Sequence, residues 1–330
     1  MNYKQSDKIL YQIKKADNIL LNCHKGPDPD SIGSALALYE VLNGMKKKSE
    51  IICPSSIPND IKFLKNYKKI RIVNFIDFDF SKYDLFVLQD SAGWYMVSGV
   101  KNIQKPDIPL IVIDHHKTNE YFGDINLIDS EISSNAELLY NIFEDWKVKI
   151  DKETALCLLT GIIADTGVFR YPGTTARTLE IASKLIKKGA DNNLIVSNIY
   201  FDTDFKVLKF YGEILHTMQF DEEYKFIWSA TPYEKFKEFG SNSDAKSMAA
   251  GAFAQSVSGA NFGFVMVEDS EKRLSISIRS KKGYDISKLA VKLGGGGHES
   301  AAGAKVEGME FDQAVEKVLD VAREFAKKNE

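Results

Sequence analysis

Short apolar runs that stop abruptly on acidic or imidazole side chains dominate the first half of this chain. Asn18-Ile19-Leu20-Leu21-Asn22-Cys23 ends at His24, with Asp28 and Asp30 close behind. Asp84-Leu85-Phe86-Val87-Leu88-Gln89 ends at Asp90, and Leu110-Ile111-Val112-Ile113 ends at Asp114-His115-His116. Such runs read as buried strands. A fourth, helix-like run ends Gly161-Ile162-Ile163-Ala164-Asp165. In an open α/β sheet, ligands bind at the carboxyl ends of the strands. Several His and Asp side chains converging there predict a metal centre rather than scattered surface charge.

The spacing predicts strands at 18–23, 49–53, 70–74, 84–89 and 109–114, and a helix from about Asp30 to Lys46 with a stripe of Ile32, Leu36, Leu38, Tyr39 and Leu42. This alternation implies an α/β fold: a parallel sheet with helices on both faces. Helices follow at 133–145, 151–164 and 174–188. Ser133 or Ser134 suits the first cap and Thr174 or Thr175 the third. Gly189 after Lys187-Lys188 stops the last of these. The domains are therefore expected at 1–189 (metal-binding and catalytic), 190–222 (a helical linker) and 223–330 (a smaller, mixed α/β substrate-binding domain). In the last of these, strands are expected at 224–228, 262–267 and 274–278, with helices at 285–293 and 310–328.

A chain of 330 residues is long for one core. It carries 44% hydrophobic and 27% charged residues, a globular composition with no run long enough to span a bilayer. Its N-terminus has no signal-peptide pattern. Cys23, Cys53 and Cys157 are widely spaced and form no CxxC pair, which fits a reducing cytoplasm and argues against a structural zinc site. A net charge of −3 argues against a protein that coats duplex nucleic acid.

In His24-Lys25-Gly26-Pro27-Asp28-Pro29-Asp30, Asp28 and Asp30 stand two apart, so extended backbone would direct them to opposite sides, each toward a different ion. Asp30 also suits a helix cap. Asp90 taken alone suits a strand-end turn. Asp114 is either the orienting partner of a histidine or a turn residue. Asp165, at a helix C-terminus, opposes the macrodipole and calls for a cation. Carboxylates and imidazoles without a thiolate suit Mn²⁺, Mg²⁺ or Co²⁺. Two ions sharing a carboxylate suit phosphoryl displacement. Four glycines, Gly294 to Gly297, permit close approach of backbone to a phosphate or base, or form a flexible turn. Arg279 is a candidate phosphate clamp or a solvated strand-end cation. For Arg170, Thr174, Thr175 and Arg177 the preferred role is capping.

These four clusters, in order, resemble the motifs of the DHH phosphoesterase family, and Gly294-Gly295-Gly296-Gly297-His298 resembles the glycine-rich motif of the DHH-associated C-terminal domain. The resemblance spans nearly the whole chain and is nearest to the bifunctional oligoribonuclease and 3′-phosphoadenosine 5′-phosphate phosphatase (nanoRNase) subfamily. It implies two divalent ions, most naturally Mn²⁺: one held by His24, Asp28 and Asp90, the other by Asp30, Asp90, His115 and Asp165. Either of the adjacent histidines can be the ligand on the residues alone. The resemblance also implies His116 at the scissile phosphate with Asp114 beside it, and Arg279, Gly295, Gly296, Gly297 and His298 at the substrate, recognised by the second domain across a cleft. Expected partners are a short RNA or a mono- or dinucleotide, with no duplex DNA and no membrane; a homodimer is an admissible assembly. Competing expectations are a cyclic or linear dinucleotide phosphodiesterase, a manganese inorganic pyrophosphatase, a RecJ-like exonuclease, and a non-catalytic nucleotide sensor.

Overall fold

The structure, a computed structural model, describes residues 3–171, 173–201, 203–281, 284–297 and 299–328. It divides into two compact units, Met1–Asp202 and Thr203–Glu330. The stretch 190–222 contributes helices to both.

The first unit runs α1 (Ser6–Lys15), β1 (Asn18–Asn22), α2 (Pro29–Gly44), β2 (Lys48–Cys53), β3 (Ile70–Ile72), β4 (Leu85–Gln89), α3 (Trp94–Ser98), β5 (Leu110–Asp114), β6 (Ile125–Ile128), α4 (Asn135–Asp145), α5 (Lys152–Asp165), α6 (Ala176–Lys187) and α7 (Asn192–Val196). Its sheet is parallel throughout, in the order β3-β2-β1-β4-β5-β6. The chain starts in the middle, moves outward through β2 and β3, then crosses to the other side of β1. The reversal between β1 and β4 opens a crevice at their carboxyl ends, where such sheets bind ligands.

Each central strand is buried on both faces. Ile19, Leu21, Val87, Ile111 and Ile113 point into a core shared with α1, α2, α4 and α5. Leu20, Phe86, Leu88 and Val112 point the other way, against Phe75, Val97 and the rings of Phe78, Phe80 and Trp94. The second face is therefore covered mainly by aromatic loop residues and the short α3. Strand β6 and helices α1 and α3 were not expected from the sequence. β6 is a four-residue edge strand with only Leu127 buried, too short for a period to register.

Helices α2 and α5 cross with no room for side chains at two points. A methyl group on Gly33 would lie 2.5 Å from the carbonyl oxygen of Cys157. One on Gly161 would lie 2.3 Å from Asp30 Oδ1 and 2.6 Å from Ala136 Cβ. Glycine at these positions gives up helix propensity in exchange for close approach.

The second unit runs α8 (Phe205–His216), β7 (Gln219–Asp221), β8 (Phe226–Thr231), α9 (Tyr233–Glu238), α10 (Asp244–Ser256), β9 (Phe262–Ser270), β10 (Arg273–Ser280), α11 (Ser287–Lys292), β11 (Gly296–Gly297), β12 (Ala301–Glu307) and α12 (Phe311–Lys327). Its sheet order is β11-β12-β10-β9-β8-β7, antiparallel except for the β8–β9 pair. Leu274, Ile276 and Ile278 face a core with Leu289, Val315, Val318 and Leu319 from α11 and α12. On the opposite face Ile227, Val265 and Val267 meet Val207 and Phe210 of α8 and Ala249, Ala250 and Phe253 of α10.

Candidate metal centre

The site is assembled at the carboxyl ends of β1, β4 and β5 and at the start of α2 and the end of α5. After β1, the amide of His24 donates to Ser31 Oγ (3.0 Å), folding the loop back on α2. His24 Nδ1 lies 3.0 Å from the carbonyl oxygen of Lys25, the position of a donated hydrogen bond. That leaves Nε2 aimed at Asp28 Oδ2 (3.6 Å) and Asp90 Oδ2 (3.5 Å). A backbone carbonyl holding one ring nitrogen is the usual way a histidine is oriented for a metal.

The cap of α2 is Asp28, not Asp30: its Oδ1 accepts from the amide of Ser31 (2.9 Å), with Pro29 at the first helical position. Asp30 is fully buried and caps a different helix. Its Oδ2 accepts from the amide of Asn135 (2.7 Å) and its Oδ1 from that of Ala136 (2.9 Å), at the start of α4. Gly161 leaves the space its carboxylate occupies.

Asp90 is the hub. It follows β4 with φ at +50°, in the left-handed region that aspartate tolerates better than most residues. Its side chain is 2% exposed, and Oδ1 has no hydrogen-bond partner. Oδ2 faces His24; Oδ1 is 3.4 Å from His115 Nε2. His115 Nε2 is also 3.3 Å from Asp165 Oδ2 and 3.9 Å from Asp30 Oδ2. Three groups of donors thus converge: His24, Asp28 and Asp90; Asp30, His115 and Asp165; and Asp90, His115 and His116.

His116 is committed elsewhere. Its Nδ1 is 2.7 Å from Asp114 Oδ1, against 3.8 Å from Asp90. Asp114, fully buried at the end of β5, also accepts from Asn119 Nδ2 (2.7 Å), which donates further to the carbonyl of Ser91 (3.1 Å). The half-buried His116 ring is therefore fixed through Nδ1, so His115 rather than His116 is the better-placed ligand.

The electrostatics express crowding. Burial and the charge of Asp90 raise Asp30 to about 7, with His115 opposing. Burial, then Asp30 and Asp90, push Asp165 well above the usual carboxylate range. Burial also opposes ionisation of Asp90, but the facing imidazoles of His115 and His24 hold it below its ordinary value. Burial works against charge on His24 and His115 too; the carboxylates overcome it and raise them to about 11 and about 10. Burial opposes charge on His116 likewise, and Asp114 and Asp90 raise its pKa. Acids this close remain charged together only where positive charge lies among them, and otherwise take up protons. The donor set, imidazole and carboxylate with an orphaned buried oxygen at its centre, fits hard or borderline divalent metals.

Sequence reasoning missed the residues that hold these groups: Ser31, Asn119, and Asn22, whose Oδ1 accepts from the amide of Gln89 (2.8 Å) and so ties β1 to the end of β4. They are ordinary loop and strand-end polars with no diagnostic spacing. Thr175 caps α6, and Arg177 donates to Asn141 Oδ1 (3.1 Å) and Glu180 (3.1 Å). In the second unit, Arg279 is half-buried on β10 and donates to the carbonyl of Ile278 (2.9 Å). Gly295 and Gly297 abut β12: methyl groups there would lie 2.1 Å from the Gly303 oxygen and 2.5 Å from Ala302 Cα. Gly296 faces open space. His298 lies outside the described residues.

Residues 18–162 match the DHH family, N-terminal domain, and residues 227–328 match the DHHA1 domain. The chain is 29% identical to a bifunctional oligoribonuclease and PAP phosphatase, NrnA, of Thermus thermophilus, over 98% of this chain and 95% of that protein. The Bacillus subtilis NrnA is 27% identical over 91% of this chain and 92% of its own length. The cyclic-di-AMP phosphodiesterase GdpP of Bacillus subtilis is 29% identical over 95% of this chain, which spans 48% of that protein. Among solved structures, an exopolyphosphatase-related protein from Bacteroides fragilis superposes with a TM-score of 0.90 at 27% identity, covering 98% of this chain and 97% of that one.

Proposed function

The chain is a DHH-family protein with a DHHA1 domain, and from that premise we propose that it is a phosphoesterase acting on short nucleotides with two divalent ions, Mn²⁺ foremost. The observation that carries this is Asp90: a carboxylate withdrawn from water, one oxygen unpartnered, set between His24 and His115. A buried carboxylate in that position costs several kcal/mol unless a cation meets it.

One ion would be held by His24, Asp28 and Asp90, the other by Asp30, His115, Asp165 and the shared Asp90. Bound there, the pair supplies Lewis-acid charge and an activated water for attack at phosphorus. The chain does the rest. Asp114 takes the Nδ1 proton of His116 as a hydrogen bond and so presents Nε2 outward. With its pKa raised by that carboxylate, His116 carries a proton that Nε2 gives to the departing oxygen. Nucleotide recognition belongs to the second unit, with Arg279, Gly295, Gly296, Gly297 and His298 as its contact residues.

Substrates are oligoribonucleotides of a few residues and 3′-phosphoadenosine 5′-phosphate, the activities named for the NrnA relatives. A second reading, a dinucleotide phosphodiesterase, draws on the equal identity to GdpP. The cysteines, buried and free, support a reducing, cytoplasmic setting, and no described helix is long and apolar enough to cross a membrane.

The test is to compare kcat/KM on an RNA dinucleotide, a longer RNA, 3′-phosphoadenosine 5′-phosphate, linear and cyclic di-AMP, and pyrophosphate with Mn²⁺ present. Preference for the RNA dinucleotide and the bisphosphate supports the proposal. Preference for cyclic di-AMP shifts it to the second reading, and activity on pyrophosphate alone, or on nothing, overturns it.

A further inference from the structure

Lys246, on α10, is 8% exposed. Its ammonium donates to Ser275 Oγ on β10 at 2.6 Å. Among the described residues it forms no ion pair, and Asp269, whose charge acts on it, is engaged by Arg273 at 2.6 Å. Two further cations, Lys305 and Arg279, act on it from the same side of the sheet. Burial lowers the pKa of Lys246, and both of those cations lower it further. A buried cation facing two others is an arrangement that folding alone does not favour.

The sheet around it changes character from strand to strand. Under α8 and α10, β9 presents Gly263, Val265 and Val267. Their partners on β10 are Arg279, Ser277 and Ser275. The partners of those on β12 are Ala301, Gly303 and Lys305. Leu274, Ile276, Ile278, Ala302, Ala304 and Val306 point to the opposite core. The face is thus apolar over β9 and small, polar and basic over β10 and β12, with α10 packed on both β9 and β10 and with Ser275 and Ser277 buried.

We propose that Lys246, Ser275 and Lys305 form an anion seat that holds a second phosphate of a short oligonucleotide, apart from the position of Arg279. Four residues of strand separate Ser275 from Arg279, about 14 Å at ~3.4 Å per residue. One phosphate does not bridge that distance; a ligand with several phosphates along a ribose backbone does. The seat therefore favours oligonucleotides over single mononucleotides. This deepens the functional reading above and rests on it for the identity of the ligand.

The test uses the full chain and a 5′-phosphorylated RNA trinucleotide, with AMP as the short comparison. Binding is measured by calorimetry with EDTA present, at two salt concentrations; hydrolysis is measured with Mn²⁺ on the trinucleotide and on bis-p-nitrophenyl phosphate. K246M and K305M should each weaken trinucleotide binding by about tenfold and flatten its salt dependence. AMP binding and ester hydrolysis should stay within about twofold of the unaltered protein, and K246R should retain most of the affinity. Lys305 is exposed, so K305M keeps the test informative if K246M folds poorly. Trinucleotide affinity unchanged in K305M, or lost equally for AMP, overturns the seat. Should the unaltered protein cleave nothing while K305M still loses trinucleotide binding, the seat stands and the phosphoesterase reading fails.

Discussion

Asp90 stands at the centre of the His and Asp cluster of the first unit, between His24 and His115. Replacing it with alanine removes a donor facing both His24 and His115. D90A should lower kcat/KM by more than about a hundredfold, beyond the loss typical of residues that only support a metal ligand. Mn²⁺ should raise the melting temperature of the unaltered protein and not that of D90A; an equal rise in both would count against the shared role. Asn119 is a positioning residue, steadying Asp114 and through it His116. N119A should cut kcat by about tenfold with KM little changed, and a pure KM effect would remove it from that chain of contacts. The ligand candidates stood out in the sequence because each closes an apolar run or, like Asp28 and Asp30, follows closely on one. Their supports were not: Ser31, Asn22 and Asn119 acquire meaning only when β1, β4 and β5 lie side by side. The same limit applied to Asp28 and Asp30. Spacing put both in the loop, but only the fold reveals that one caps its own helix and the other caps α4.

At the scale of elements, the pair α2 and α5 sets where Asp30 stands. G33A places a methyl group against backbone, which a side-chain rotation cannot relieve, and should cost about 1–3 kcal/mol in denaturant unfolding. G161A meets a carboxylate oxygen as well, so it should lower Mn²⁺ affinity in addition to stability. Equal Mn²⁺ affinity in G161A and the unaltered protein would show that Asp30 has freedom to retreat. Long apolar strands and the strongly patterned α12 were readable in advance. Strand β12, built on Ala301, Ala302, Gly303 and Ala304, was not, because its residues have little strand propensity and gain their place from β10 beside them. Helix α10 was missed for a related reason: alanines at 245, 249, 250 and 254 give an apolar face too small to stand out from its surroundings.

The whole molecule is two units, each with core clusters of its own. Unfolding should therefore proceed in two calorimetric transitions. Mn²⁺ should raise the transition belonging to the metal-centre unit, as ligands that bind only the native state do, and leave the other in place. A single transition moved as a whole by the ion would refute that independence. The first-half architecture was visible from its alternating runs; the start of the second unit was not, because α8, within the stretch expected to be a linker, buries Val207, Phe210 and Ile214 against the sheet of that unit.

The way Asp30 closes the start of α4 gives the centre a reporter. The amide protons of Asn135 and Ala136 are tied to the same carboxylate that would grip a cation. An ion that pins this carboxylate also pins those two protons, so their exchange with deuterated solvent should slow together when Mn²⁺ is added. Occupancy of a buried site then becomes measurable at one helix end, in protein that is turning over no substrate.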